Sequence, residues 1–234
     1  MHVELLSHTA DPERTVAAAT RLCYSASGIL KIRDAIDDRE AARLIKKVLQ
    51  LGHFSVLEHA SFTFGIEGIS RACSHQLVRH RMASFSQQSQ RYVKMRQVPF
   101  NIPESIRKNK DAMERFSALS DRLQADYNAM LAEGIPAEDA RYILPNAVET
   151  KIIMTANARS LLNFFEHRLC TRAQWEIRQL AGLMLKCVRE VAPNIFSAAG
   201  PACESRGYCC EGSMSCGRAE TLDQLVAVKD NSGE

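Results

Sequence analysis

The sequence predicts an α+β fold that is rich in helices and has few strands. Several long segments carry apolar residues at helical spacing, whereas a segment near residue 62 alternates apolar with polar residues. Of the 234 residues, 46% are hydrophobic and 24% are charged, which are ordinary values for a globular protein. This composition excludes a disordered chain, a collagen and a coiled-coil rod, and the length suits one large domain or two small ones.

Two helices are predicted in the first 52 residues from their terminal residues. The sequence Asp-Pro-Glu at 11–13 is typical of a helix start, with an aspartate cap and proline in the first turn, and this helix should run to about Cys23. Asp37, with Glu40 three residues later, indicates the start of a second helix that should end at Gly52. Its apolar stripe comprises Ala41, Leu44, Val48 and Leu51.

Strands are expected where Phe62, Phe64 and Ile66 alternate with smaller or polar residues, and again at 150–155. A helical spacing returns from Ile69 to His80, but the apolar face of this segment becomes polar at Gln76 and His80. Such a local conflict often marks a functional site. Hydrogen bonds to neighbouring backbone groups would explain these two side chains equally well.

The second half of the chain predicts mostly helices. The segment 91–98 should be extended, and 113–130 should form a long helix that stops at Gly134. A short helix at 136–141 should carry Arg141, and a turn at 157–160 should lead into another helix. The last long helix is expected at 172–191.

Charge is unevenly distributed along the chain. The 30 Lys and Arg residues against 27 Asp and Glu give a net charge of +3, but the window 68–103 holds six cations and no carboxylate. The remainder therefore holds 24 cations against 27 anions, which favours a local anion site over a general polyanion surface. A solvated basic face is the alternative. The six cations are Arg71, Arg79, Arg81, Arg91, Lys94 and Arg96.

The eight cysteines are expected to be reduced thiols. Cys23, Cys73, Cys170 and Cys187 lie in helical patterns and are interpreted as small buried residues. The other four follow Ala198, where no periodicity remains, so we predict a domain at 1–198 and a Cys-, Gly- and Ser-rich tail at 199–234. Their spacing does not match the usual zinc patterns, and no metal site is expected. They are Cys203, Cys209, Cys210 and Cys216.

The most informative segment begins with Arg79-His80-Arg81 and continues through serines and glutamines to Arg91. Arginine holds phosphate with a planar fork, while hydroxyl and amide groups complete such a site and can also bind a nucleobase. This pattern predicts a nucleotide-like anion site. A nucleic-acid-binding module is the alternative of another class, but the small net charge and an aromatic content of 6% disfavour it.

Arg79-His80-Arg81, followed after seven residues by Ser89, forms the R-H-R-x7-S signature of flavin-dependent thymidylate synthases, and the chain resembles that family. Further blocks resemble the family in the same order and span about residues 50 to 180. They are Gly52-His53-Phe-Ser55-x-x-Glu58-His59, Gln76-x-x-Arg79, Ala140-Arg141-x-x-Leu144-Pro145, Asn157-Ala-Arg159-Ser160-Leu-x-Asn163-Phe and Arg168-x5-Gln174-Trp175-Glu176.

The resemblance implies the thymidylate synthase-complementing protein fold, with a small, mostly antiparallel sheet, in a homotetramer. It implies conversion of dUMP to dTMP with FAD as cofactor, 5,10-methylenetetrahydrofolate as carbon donor and NADPH as reductant. Sites shared between subunits would agree with the lack of a G-x-G-x-x-G or Walker A motif in this sequence. A flavoprotein that binds nucleotides but transfers no methyl group is a third hypothesis.

The resemblance also implies roles for individual residues. Arg168 is expected to activate the pyrimidine, and His53 to assist near the flavin. Gln87 stands between the two ligands where many members have Glu, and Arg141 would come from a neighbouring subunit. The residues implied to contact FAD are Ser55, Arg79, His80, Arg81, Gln87, Asn157, Arg159 and Asn163; those implied to bind dUMP are Gln76, Arg79, Gln87, Gln88, Ser89, Gln90, Arg91, Arg141 and Arg168.

The expected location is the cytoplasm. Met1–Leu6 lacks the basic region of a signal peptide, and no apolar run approaches the roughly 18 residues that a membrane span needs. No membrane or nucleic-acid partner is therefore expected.

Overall fold

The computed structural model describes residues 1–95 and 97–231, with the backbone alone at 227–231. Arg96, one of the six cations of the basic window, and the last three residues of the predicted tail lie outside the described residues. The strands are β1 (His2–His8), β2 (Ser61–Ser70), β3 (Ser84–Gln87) and β4 (Glu149–Asn157). They form one antiparallel sheet in the order β1-β2-β4-β3, as expected for a helix-rich α+β protein.

Helices account for most of the remaining described residues. They are α1 (Pro12–Leu22), α2 (Ile29–Asp34), α3 (Asp38–Leu51), α4 (Arg71–Leu77), α5 (Glu104–Arg107), α6 (Lys110–Ala132), α7 (Ala137–Ala140), α8 (Ala158–Arg168), α9 (Trp175–Val191), α10 (Ala202–Ser205) and α11 (Leu222–Asn231). Short 3-10 helices occur at Phe54–His59, Arg141–Ile143 and Gly212–Met214.

The chain divides into two compact units. Unit 1 comprises 1–2, 65–81 and 85–154, and unit 2 comprises 3–64, 82–84 and the chain from Thr155 onward. Strands β2 and β4 contribute residues to both units. This division differs from the predicted boundary after residue 198, which stays a prediction.

In unit 1, the long helix α6 confirms the prediction at 113–130. Its Tyr127 is fully buried, and Phe116 packs edge-on against Phe100 with ring centroids 6.4 Å apart. Of the preceding segment 91–98, predicted to be extended, residues 91–92 form a turn and the other described residues belong to no strand. Met95 N donates to the Tyr127 hydroxyl at 3.4 Å, and Val98 N donates to Gln124 Oε1 at 2.5 Å.

In unit 2, helices α1, α2 and α3 pack through a common apolar core. Ala17, Ile32 and Leu44 are buried in it, as the stripe predicted for α3 requires. Leu51 of that stripe is exposed (57%) because it occupies the last turn of the helix, so its predicted burial is wrong. A second apolar contact joins β2 to α8. The ring of Phe196 packs edge-on against Phe62 of β2 and against Phe165 of α8.

The helix starts follow the predicted caps in most places. Asp37 accepts a hydrogen bond from Glu40 N, and Gly52 ends α3 with φ +71°, both as predicted. Asp11 instead has φ +45° and makes no capping bond, so α1 begins through the fixed φ of proline. Ile69 belongs to β2, because Ser70 caps α4 by accepting from Cys73 N.

Several parts of the fold were not predicted, among them β3 and α5. Strand β1 and helix α2 are short, with only Ile32 buried in α2 and no fully buried residue in β1, so their sequence signals are weak. The tail was expected to lack regular structure, which is wrong, since α10 and α11 lie within it. The prediction that Cys23 is buried is also wrong, because its side chain is exposed at the end of α1.

We expect Asp37→Ala to lower the free energy of unfolding by about 1 kcal/mol, because Glu40 N then loses its acceptor. Asp37→Asn keeps an acceptor oxygen and should stay within about 0.3 kcal/mol of the original chain. Urea unfolding followed by far-ultraviolet circular dichroism measures both. Equal losses in the two variants would contradict the capping role.

Candidate active site

Unit 1 places a half-buried arginine near a second cation. Arg71, the first residue of α4, donates from Nη2 to the main-chain oxygen of Gln88 at 3.0 Å. Its Nε is buried and has no hydrogen-bond partner in the part of the chain that the structure describes. Burial, followed by repulsion from Arg141, lowers the pKa of Arg71. A half-buried guanidinium with an unused N–H near a like charge is suited to binding an anion.

Glu138 positions the two other arginines of this group. Arg91 Nε donates to Glu138 Oε2 at 2.9 Å, and Arg141 Nε donates to the Glu138 main-chain oxygen at 3.0 Å. Each guanidinium also lies against the next residue's ring, 5.3 Å from the centroid of Tyr92 and 6.0 Å from that of Tyr142. Together with Arg71, these residues bring three arginine side chains and one carboxylate into the same group. We call Arg71, Arg91 and Arg141 the arginine cluster.

The serine and glutamine residues after β3 adjoin the cluster. Gln88 N donates to the main-chain oxygen of Lys151 at 2.9 Å, which fixes the chain beside β4. Gln87 Nε2 donates to Ser74 Oγ at 2.8 Å and to Thr150 Oγ1 at 3.2 Å. Ser89 Oγ accepts from Arg91 N at 3.1 Å. The predicted dUMP residues 87–89, Arg91 and Arg141 are therefore linked by contacts within unit 1.

The remaining predicted residues of unit 1 lie on or just after α4. Gln76 and His80 are half-buried, whereas Arg79 and Arg81 are exposed. The amide of Gln76 has a 3.5 Å contact to the Ala72 main-chain oxygen, so the polar face predicted for this helix is partly satisfied by its own backbone. Gln90 is half-buried in the turn after Ser89.

A cavity of about 460 Å³ in unit 2 is lined by His53, Ser55 and Arg159, all predicted site residues. The left-handed Gly52 ends α3 and is followed directly by His53, whose Nδ1 lies 3.4 Å from the Tyr24 hydroxyl. Arg159 Nη1 donates to Glu58 Oε1 at 2.5 Å.

An adjacent cavity of about 430 Å³ shares two lining residues, Phe54 and Arg159, with the first. Asn163 lines this second cavity. Each cavity is in the size range of small-molecule sites, and an aromatic and a charged side chain, Phe54 and Arg159, line both. We call the two cavities the unit 2 cleft.

Two predicted residues of unit 2 do not line the cleft. Asn157 caps α8 by accepting from Ser160 N at 2.9 Å, which is the structural role that its residue type favours. Arg168 is the half-buried last residue of α8, where the helix dipole favours a cation.

Sequence reasoning did not select Arg71 as a site residue, although it counted Arg71 among the cations of the basic window. The signal available was its place in a run without carboxylates. Its burial beside Arg141 depends on the tertiary packing of α4 against the chain near residue 141.

The described residues contain neither a candidate metal-binding cluster nor a helix that could cross a membrane. No group of three or more His, Cys, Asp or Glu side chains in this part of the chain is placed to hold a metal ion. No described helix is both long and apolar enough to cross a membrane.

Comparison with known proteins assigns the chain to one class of enzyme. Residues 4–194 match the family model described as thymidylate synthase complementing protein. The flavin-dependent thymidylate synthase of Geobacter sulfurreducens is 53% identical over 227 residues, covering 96% of this chain and 97% of that protein. The proteins of the same name from Clostridium tetani and Pyrococcus furiosus are 46% and 42% identical, covering 95% and 92% of this chain and 96% and 91% of theirs.

This similarity, which extends over most of the chain, assigns it to the flavin-dependent enzymes that modify nucleotides. The chain belongs to the flavin-dependent thymidylate synthase family, and it is an enzyme of the methyltransferase class.

We expect an anion to stabilise the protein through Arg71. Pyrophosphate should raise the melting temperature of the original chain, because it neutralises the arginine cluster, and Arg71→Met should remove most of this rise. Arg122→Met is the matched control, since Arg122 pairs with Asp126 on the exposed face of α6 in the same unit. Differential scanning fluorimetry at low salt measures the three responses; an undiminished rise in Arg71→Met would contradict the assignment.

Proposed function

We propose that this enzyme converts dUMP to dTMP, taking the methylene carbon from 5,10-methylenetetrahydrofolate and reducing equivalents from NADPH through FAD. In this reaction dUMP, methylenetetrahydrofolate, NADPH and a proton yield dTMP, tetrahydrofolate and NADP⁺. The proposal is carried by the 53% identity to a flavin-dependent thymidylate synthase over 96% of this chain. The charge and shape of the two sites support it.

The arginine cluster is the proposed phosphate site for dUMP. Arg71 supplies a desolvated N–H that has no partner within the described chain, and Arg91 and Arg141 supply exposed or half-buried guanidinium forks. A phosphate dianion would relieve the repulsion between Arg71 and Arg141, so part of the binding free energy comes from strain in the free site. Gln76, Gln88, Ser89 and Gln90 are the proposed donors and acceptors for the sugar and base.

The unit 2 cleft fits an elongated, partly aromatic cofactor such as FAD. Ser55, Arg159 and Asn163 provide hydrogen-bonding and charged groups along its walls, and Phe54 provides an aromatic surface at the junction of the two cavities. Arg79, His80 and Arg81 are proposed as further contacts to the cofactor. When bound, the flavin would supply the hydride that completes the methyl group. Asn157 would act indirectly, by fixing the start of the helix that carries Arg159 and Asn163.

Arg168 is the proposed catalytic residue. Its guanidinium would bind the uracil edge and stabilise the negative charge that develops on the pyrimidine. His53 would assist near the cofactor, held by its contact to Tyr24. Gln87 would orient the two ligands without adding charge, because an amide is neutral. Its amide nitrogen donates to Ser74 and Thr150, and these hydrogen bonds hold the side chain in place. A homotetramer and a cytoplasmic location belong to the same proposal, in which Arg141 acts within the arginine cluster of its own chain.

Anaerobic incubation with FAD, NADPH, dUMP and methylenetetrahydrofolate tests the proposed reaction. We expect dTMP, identified by chromatography, and none when FAD, folate or NADPH is omitted. Binding of FAD and dUMP is measured separately. A protein that binds both but forms no dTMP would refute methyl transfer and indicate a flavoprotein of other specificity.

We expect Arg168→Ala to reduce dTMP formation by at least about 100-fold, since one preorganised charge donor is worth this much in a transition state. FAD absorbance should still co-elute with the variant, because the cleft does not include Arg168. Arg172→Ala is the matched control, an arginine four residues later that contacts Met214 Sδ, and it should keep near-normal turnover. Near-normal turnover of Arg168→Ala would remove this residue from catalysis.

A further inference from the structure

A third cavity in unit 2, of about 150 Å³, is lined by five of the eight cysteines. We call it the thiol cavity. Cys170 enters it from the loop after α8, and the other four come from the tail beyond residue 198. All eight cysteines are free thiols, and the described His, Cys, Asp and Glu side chains form no metal-binding group. The four tail cysteines are Cys203, Cys209, Cys210 and Cys216.

Polar contacts hold the tail against the end of α8. Arg206 binds both carboxylate oxygens of Glu166, with Nη2 and Oε2 2.9 Å apart. The Glu166 side chain is only 14% exposed, so this paired geometry is better shielded than an ordinary surface ion pair. Arg172 Nη2 lies 3.2 Å from Met214 Sδ. The tail cysteines are therefore docked beside the loop that contains Cys170.

Cys216 has the most reactive surroundings of these thiols. Its side chain is exposed, and a hydrogen bond from Thr171, aided by the backbone and positive charge of Arg218, lowers its pKa. A thiolate with solvent access is the form that oxidants attack. Cys187 of α9 shows the opposite case, since burial and the nearby Glu190 raise its pKa.

The same contact suggests a partner for Cys216. Thr171, which binds the Cys216 sulfur, directly follows Cys170 in sequence, and the half-buried Cys170 lines the same cavity. Cys170 and Cys216 thus share the wall of one cavity of about 150 Å³, and the residue next to Cys170 contacts Cys216. Cys209 is buried and is less accessible to an incoming oxidant.

We propose that hydrogen peroxide oxidises the Cys216 thiol and that Cys170 then forms a disulfide with Cys216. The Cys216 thiolate attacks one oxygen of hydrogen peroxide and breaks the O–O bond, giving a sulfenic acid and a hydroxide that takes up a proton as water. The Cys170 sulfur then attacks the sulfenic sulfur, and the displaced hydroxide leaves as a second water. Two thiols lose two electrons in total, and peroxide is reduced to two waters.

The disulfide would join the tail covalently to the chain two residues beyond Arg168. It therefore acts on the loop that follows the proposed catalytic arginine, but its formation does not depend on the proposed reaction. The site is a thiol modification site, and reductants would reverse it.

Peptide mapping of the intact chain tests the proposal. The reduced protein is treated with a few equivalents of hydrogen peroxide, with and without dimedone to trap sulfenic acid, and digested without reductant. We expect a Cys170–Cys216 disulfide, and in Cys170→Ser a dimedone adduct at Cys216. Cys23 is the matched control, an exposed thiol outside the thiol cavity, and it should react about tenfold more slowly.

Thr171→Val keeps the side-chain shape and removes the hydrogen bond, so it should shift the pH profile of Cys216 alkylation to higher pH and leave that of Cys23 unchanged. The charged or titratable groups other than cysteine that line the cavity with Cys216 are Glu166, His167, Arg172, Arg206, Glu211 and Arg218. Oxidation of Cys216 no faster than Cys23 would overturn the proposal. A Cys216 disulfide to any cysteine other than Cys170 would overturn the assigned pairing.

Discussion

The pairing of β2 with β4 is the constraint on which both candidate sites depend. In unit 1 it ends where Arg71 N donates to the Val148 main-chain oxygen at 2.9 Å, and α4 begins there with Arg71. In unit 2 it ends where Ala158 N donates to Ala60 O at 2.8 Å, and α8 begins there. Each helix starts with its first turn anchored to the sheet, so the side chains that it presents are held by a rigid element.

The arginine cluster shows how a site can store binding free energy. Placing Arg71 beside Arg141 costs stability in the free protein, because a buried charge next to a like charge is poorly solvated. Glu138 aligns the other two guanidinium groups, Arg91 through its carboxylate and Arg141 through its main-chain oxygen, without cancelling the excess positive charge. A phosphate that enters then gains both its own ion pairs and the relief of this repulsion. Affinity and orientation thereby come from the same arrangement.

The tail contacts the helix that carries two of the proposed site residues. Its docking through Glu166 and Arg206 uses the last turn of α8, the helix that also carries Asn163 and Arg168. The chemical state of the tail can therefore influence the loop after α8 through direct contacts. Clustering of thiols around one arginine-rich cavity distinguishes this region from the isolated cysteines of α4 and α9.

Local signals predicted much of the fold. The cap at Asp37, the glycine after α3 and the alternation in β2 depend on neighbours within a few residues, and the structure confirms each. In segment 91–98 the N–H groups of Met95 and Val98 instead find acceptors on α6, more than 25 residues away. Helix α2 and strand β1 are too short for periodicity to be distinctive.

By itself, the sequence determined the helix-rich α+β class, the family and the identities of the candidate residues, because these follow from residue types at fixed spacings. The tertiary structure alone decided which groups share a site: Arg71 with Arg141, His53 with Arg159, and Cys170 with the tail cysteines. The physical reason is that pKa shifts, desolvation and cavity walls arise between residues far apart in sequence. Spacing along the chain contains no information about that proximity.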